Sequence, residues 1–157
     1  MIKIGLASDH AGFELKEFVK KNIEQKGYKY IDFGAYTADS SDYPDYAHPL
    51  AMAVEIGEIG EIEEAGENRG IDLGIAMCGS GNGIAMTLNK HQGIRAAICW
   101  NAEIARVTRA HNDANILVLP ARFLNKEDAA EMINIFLNTP FEGGRHQRRI
   151  EKIPVKM

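Results

Sequence analysis

At 157 residues, 45% hydrophobic and 25% charged, the chain has the length and composition of one globular domain around a single core, and one domain over 1–157 is expected. Its net charge of −4 is accounted for by one stretch, where Glu58, Glu61, Glu63, Glu64 and Glu67 stand against Arg69; the near-neutral remainder offers no basic face to a nucleic-acid backbone, and no nucleic-acid partner is expected. There is no apolar run of about 18 residues to cross a membrane, two cysteines are too few for a disulfide framework, and Lys3 and Asp9 interrupt the first apolar run, so no membrane partner and a cytoplasmic location are expected.

Ile2-Lys3-Ile4-Gly5-Leu6-Ala7 reads as a first strand, and Leu15, Phe18, Val19 and Ile23 recur at the steps of a helix that Gly27 stops. A second strand is predicted over Tyr28 to Phe33. The polar loop TADSSDYPDY leads to an apolar helical segment from about His48 to Ile56, and then to the acidic EIGEIEEAGENRG. Ile71 to Met77 is a third strand, a helix beginning near Gly81 carries Ile84 and Leu88, GIRAAIC supplies a fourth strand, and another helix covers about 102–110. NILVLPA is a fifth strand. Asn125 with Asp128 three residues on resembles a capping box, opening a helix that carries Met132, Ile133, Phe136 and Leu137. A basic helical tail from about residue 142 closes the chain.

Five short apolar strands alternating with helices predict an α/β protein, an open and mostly parallel sheet with helices on both faces. Ligands of such sheets bind beyond the carboxyl ends of the strands. That narrows attention to Ser8-Asp9-His10, Asp42-Tyr43, Cys78 to Gly83, Trp100-Asn101 and Pro120-Ala121-Arg122.

In IAMCGSGNGIAM, Cys78 falls at a strand end, and glycines at 79, 81 and 83 let backbone N–H groups turn inward as an anion-binding nest. The nest would favour negative charge, on a Cys78 thiolate or on a substrate oxygen; a buried apolar cysteine beside a tight turn is the plainer reading. The spacing is not the dinucleotide fingerprint and the chain has no P-loop, so no nucleotide cofactor is expected. Ser80 either caps the following helix or hydrogen-bonds the thiol and a substrate oxygen. Asp9 and His10 either form a turn or join Cys78 at the same sheet edge. Histidines 10, 48, 91, 111 and 146 show no H-x-x-x-H spacing, and no metal is expected. His111 and Asn112 follow a helix, whose C-terminus His111 alone could cap, and Arg122 follows the fifth strand. Arg145 and Arg149 share a helix face that suits a phosphate as well as solvent.

The segments IGLASDHAGFELK, DYPDYA, MCGSGNGI, NKHQGIRAAIC, RAHNDANIL and FEGGRHQRRIEKI, in that order, resemble the type B ribose-5-phosphate isomerases, within the wider sugar-phosphate isomerase family that includes the galactose-6-phosphate isomerases. The resemblance runs over nearly the whole chain. It implies a Rossmann-like three-layer fold with a five-stranded parallel sheet, and a homodimer, often paired into a tetramer, with active sites shared between subunits. It implies no cofactor and a small sugar-phosphate substrate, ribose 5-phosphate and ribulose 5-phosphate being interconverted through a cis-enediolate.

By the same resemblance Cys78 is the enolising base with Ser80 beside it, and the backbone of Gly79, Gly81, Asn82 and Gly83 holds the enediolate oxygens. His111 assists ring opening, Asp9 and Asn112 stand near sugar hydroxyls, and Tyr43 borders the pocket. His10, Arg122, Arg145 and Arg149 form the phosphate set, with His111, Asn112 and Arg122 coming from the neighbouring subunit. The same parts would serve a six-carbon sugar phosphate such as galactose or allose 6-phosphate. A non-catalytic phosphate-ligand sensor, the competing class, would need neither Cys78 nor His111. Two features depart from the family pattern: Ser80 stands where many type B enzymes have threonine, and the acidic segment Glu58 to Arg69 looks inserted before the third strand.

Overall fold

The computed structural model of the chain describes residues 1–59 and 70–157. The acidic segment read as an insertion lies, from 60 to 69, outside the described residues. Strands apolar on both faces dictate the architecture, since each face needs its own cover of helices. Along β1 (Lys3–Ser8) Ile4 and Leu6 enter one core layer and Ala7 the other; along β3 (Leu73–Cys78) Ile75 and Met77 oppose Ala76 and Cys78; along β5 (Ile116–Pro120) Leu117 and Leu119 oppose Ile116 and Val118. With β2 (Lys29–Asp32) and β4 (Ala96–Ile98) they form a five-stranded, all-parallel sheet in the order β2-β1-β3-β5-β4.

The first layer is closed by α1 (Phe13–Gln25), α4 (Ala102–Asn112) and α5 (Lys126–Asn138), through Val19, Ile23, Ala105, Met132, Ile133 and Phe136. The second is closed by α2 (Pro44–Ile59) and α3 (Asn82–Leu88), through Ala47, Leu50, Val54, Ile84 and Leu88. The result is a three-layer, Rossmann-like α/β fold. Ser8 pairs with Met77 and Cys78 with Pro120, so β1, β3 and β5 end level and present their following loops side by side.

Local chemistry sets the boundaries. Asn125 caps α5 by accepting from the Asp128 N–H at 2.7 Å, and Asn101 caps α4 by accepting from Ile104 at 2.9 Å. α4 ends where Asp113 adopts a left-handed φ of 44°, tolerable for aspartate, and the Arg109 guanidinium holds its carboxylate at 2.8 Å. α2 begins at Pro44, four residues before the start expected at His48, because a proline at the first helical position gives up an N–H that needs no partner there. β4 is shorter than GIRAAIC: the Gly93 and Arg95 N–H groups are taken by Glu55 Oε1 (2.9 Å) and Asn115 Oδ1 (2.8 Å) instead of a ladder. The basic tail folds as α6 (Arg145–Ile150).

One ion pair ties the edge of the sheet to its loops. The Lys16 side chain is fully buried, its Nζ donating to Asp32 Oδ1 at 2.5 Å and to the Ala35 carbonyl at 2.6 Å. Lys20 (3.0 Å) and the Gly34 N–H (2.9 Å) also reach Asp32. Burial pushes the Asp32 carboxyl up, but these donors outweigh it and hold it below its usual range. For Lys16 burial wins over the same contact, and its ammonium lies below the usual lysine range. The pair fixes the turn whose Gly34 carbonyl accepts from the Ser8 N–H (2.7 Å) and whose Ala35 N–H donates to the Ser8 carbonyl (2.6 Å), next to Asp9.

Candidate active site

The chain leaves β1 toward β2 on one side and returns to β3 on the other, which opens a crevice beyond their carboxyl ends. Asp9 is buried there, and its Oδ1 accepts from the Gly12 N–H at 3.1 Å, closing the turn into α1. Gly12 is required by proximity: an added Cβ would lie 2.8 Å from the Met77 carbonyl carbon. His10 Nδ1 faces both the N–H and the carbonyl of Ser41 at 3.2 Å, which docks the loop carrying Tyr43 against the end of β1.

Cys78 closes β3 at this end of the sheet and is buried, 4% exposed. The loop above it is open, with Ser80 and Asn82 exposed and the Ser80 hydroxyl accepting from the Asn82 backbone and side chain at 3.3 Å. Gly81 turns the chain into α3 with a left-handed φ of 78°. Two side chains flank the loop. The Tyr43 ring lies on Gly83, and the Arg122 guanidinium lies over Gly79, where an added Cβ would meet Nη1 at 3.2 Å. The Arg122 N–H also donates to the Gly79 carbonyl at 3.0 Å. Arg122, expected from a neighbouring subunit, therefore stands beside the Cys78 loop of its own chain, because β5 is the immediate neighbour of β3. Trp100 and Asn101, singled out at the same edge, are an exposed ring and the α4 cap.

The remaining expected residues gather elsewhere. α4 starts at the carboxyl edge and runs back along the sheet for 11 residues, about 16 Å, so His111 and Asn112 sit at the opposite edge from Cys78. The Glu142 N–H donates to the Ala110 carbonyl at 3.0 Å and brings the tail, with Arg145 and Arg149 on α6, to the same place. His146 stacks on His111 with ring centroids 4.4 Å apart and planes 7° apart. Desolvation, then the charges of His111 and Arg145, hold His146 below the usual imidazole range. Among the described residues, His111, Glu142 and His146 are the group whose ligand-type atoms all lie within 4.8 Å of one another. Sequence reading missed Glu142 and His146; their four-residue spacing was a signal, but their meeting with His111 is tertiary. The expected residues thus form two clusters, Asp9, His10, Tyr43, Cys78 to Gly83 and Arg122 at one edge, and His111, Asn112, Arg145 and Arg149 at the other.

A doubly wound sheet with a cysteine-and-glycine loop at its switch point defines a Rossmann-like α/β protein, a class whose ligands bind at that point. The chain belongs to the ribose/galactose isomerase family, whose model matches residues 4–153. Ribose-5-phosphate isomerase B of Escherichia coli is 38% identical over 153 residues, 98% of this chain and 95% of that one. A probable ribose-5-phosphate isomerase B of Mycoplasma pneumoniae is 42% identical, over 96% of this chain and 91% of that one. The crystal structure of a ribose 5-phosphate isomerase from Thermotoga maritima matches with a TM-score of 0.88 at 46% identity, covering 98% of this chain and 97% of that one. The Mycoplasma genitalium ribose-5-phosphate isomerase B, solved with bound ribulose-5-phosphate, matches with a TM-score of 0.84 at 36% identity, covering 97% and 93%. In the described residues no helix is long and apolar enough to cross a membrane.

Proposed function

We propose that the protein is an aldose–ketose isomerase of the cytoplasm that interconverts ribose 5-phosphate and ribulose 5-phosphate, and that it works as a homodimer with sites shared between subunits. The observation that carries the reading is Cys78 at the carboxyl end of β3, followed by a glycine loop with Arg122 against Gly79 and Tyr43 against Gly83. The relative with bound ribulose-5-phosphate supports the substrate.

On this reading the Cys78 thiolate takes the proton from C2 of the opened aldose and returns it to C1, the cis-enediolate lying between. The backbone N–H groups of Gly79 to Gly83 face the developing oxyanion, where fixed donors need no reorganisation. Ser80 hydrogen-bonds the same oxygens. His111 moves the proton between the anomeric hydroxyl and the ring oxygen. Asp9 and Asn112 hold sugar hydroxyls, while His10, Arg122, Arg145 and Arg149 grip the non-reacting phosphate and so orient C1 and C2 against the thiolate. About 14 Å of helix separates His111 from the Cys78 edge of its own chain. We therefore take His111, Asn112, Arg145 and Arg149 of each site from the neighbouring subunit.

Complementation tests this. Cys78→Ala and His111→Ala chains, each nearly inactive on ribose 5-phosphate, are mixed and allowed to exchange subunits. About half of the dimers are then mixed, and one of the two sites in each carries neither substitution, so activity returns to roughly a quarter of wild type. No recovery after verified exchange refutes the shared site, and wild-type turnover confined to six-carbon sugar phosphates refutes the substrate.

A further inference from the structure

At the far edge of the sheet, His111 and His146 turn their Nε2 atoms toward one oxygen, Glu142 Oε2, at 3.8 and 3.7 Å. These separations are too long for N–H···O hydrogen bonds, which span about 2.7–3.2 Å. They are near what a shared ion imposes, because two ligand atoms each about 2.0–2.2 Å from one tetrahedral zinc stand about 3.3–3.5 Å apart. All three donors already lie within 4.8 Å of one another. Rings stacked 7° from parallel cannot both aim an in-plane nitrogen at one ion, so His111, 38% exposed, must rotate out of the stack and Glu142, 53% exposed, must swing in, onto His146, which is 11% exposed. The backbone beneath Glu142 is fixed, its N–H bound to the Ala110 carbonyl one residue before His111.

We propose that His111, Glu142 and His146 form a binding site for a zinc-type divalent cation, and that its occupation inhibits the enzyme by engaging His111 Nε2. The inhibitory part rests on the reading of His111 given above; the binding part does not. Two imidazole nitrogens and one carboxylate select a first-row transition metal over magnesium or calcium, which prefer all-oxygen sets. The remaining coordination position falls to water, the arrangement of an open site. Arg145 and Arg149, on the same tail helix, weaken a dication's hold, so loading is reversible by chelator. The ligands come from the end of α4 and from either side of the α6 start, which is why no local spacing of histidines announces them.

Zinc is titrated into the intact protein against a chromogenic chelator, with Glu142→Gln and His146→Asn as comparison variants. The expected result is one zinc per chain, with affinity about 10-fold or more weaker in each variant. Cobalt(II) in its place gives ligand-field bands without a thiolate-to-cobalt charge-transfer band. Unchanged affinity in both variants overturns the site, as does a thiolate band, which would make Cys78 the ligand. Activity is followed alongside: zinc inhibits wild type, chelator restores it, and Glu142→Gln needs about 10-fold more zinc for the same inhibition. Zinc binding that depends on Glu142 and His146 but leaves activity untouched overturns the inhibitory role and the assignment of His111 to ring opening, while the metal site stands.

Discussion

Replacing Gly83 by alanine sets two effects of similar size against each other. Gly83 is the second residue of α3, and helix propensity alone favours alanine there by up to about 1 kcal/mol. An added Cβ, however, would lie 2.6 Å from Tyr43 Cε1 and 2.7 Å from its Oη, and closer still to Cζ, where ordinary contact is 3.4–4 Å. The ring must withdraw by about 1 Å or more. It cannot slide back with its backbone, because the Tyr43 carbonyl accepts from the Tyr46 and Ala47 N–H groups at 3.2 and 3.0 Å in the first turn of α2. The side chain therefore swings out and uncovers the loop. Overpacking of this kind costs about 1–3 kcal/mol, so Gly83→Ala should lose roughly 0–2 kcal/mol after the propensity gain, each kcal/mol lowering Tm by about 2–4 °C in a chain of this size. Without the tyrosine the sign reverses: in a Tyr43→Ala background Gly83→Ala should stabilise by up to about 1 kcal/mol. Urea unfolding of the four proteins measures the coupling, and KM for ribose 5-phosphate should rise in the Gly83→Ala single variant. Equal stabilisation by Gly83→Ala with and without Tyr43 would refute the steric argument.

Asp32, held below its ordinary value, stabilises the fold fully above the unfolded carboxyl value near 3.9 and loses that contribution as pH falls through the lower folded value. Asp32→Asn should therefore cost about 3–5 kcal/mol at neutral pH, since it leaves the Lys16 ammonium buried with one partner fewer, and the deficit should shrink in acid; a deficit in urea unfolding that does not change with pH would contradict this. Alkylation should distinguish the two free thiols. Iodoacetamide is expected to modify Cys78 and inactivate, with protection by substrate, while Cys99, fully buried and with its thiol pushed up to about 12 by burial, stays unmodified by peptide mass spectrometry. Equal labelling of both without loss of activity would remove Cys78 from the site.

The parts of the fold legible in the sequence are those fixed by local pattern. Strands flanked by helix on both faces read as continuous apolar runs, and Asn125 announced its helix through a side chain three residues away from the N–H it caps. Cys78 as a strand end and the alternating glycines as the turn into the next helix were legible for the same reason. What escaped depends on residues distant in sequence. Lys16 sits on a helix whose periodicity gives no hint that its ammonium is buried, because its partners Asp32 and Ala35 come from the next strand and turn. Arg122 could be placed after a fifth strand but not beside Gly79, since that contact follows from β5 lying next to β3 and not beyond β4. The resemblance took His111 from the neighbouring subunit, and the direction and length of α4 are what put it at the edge opposite Cys78 of its own chain.

The place of β5 between β3 and β4 also governs how a chain emerging from the ribosome can assemble. Once residues through Asp113 are out, β2, β1 and β3 can join, but β4 has no neighbour, since its place in the sheet is against β5. Until then the six residues Leu73–Cys78 present an unsatisfied apolar border, the kind that recruits strands from other nascent chains. Emergence of Ile116–Pro120 seals that border and captures β4 together, leaving as the outer strands, among the described residues, the four residues of β2 and the three of β4. The hazard of misassociation during synthesis is thus concentrated in one interval, the translation of α3, β4 and α4, and the arrival of five residues ends it.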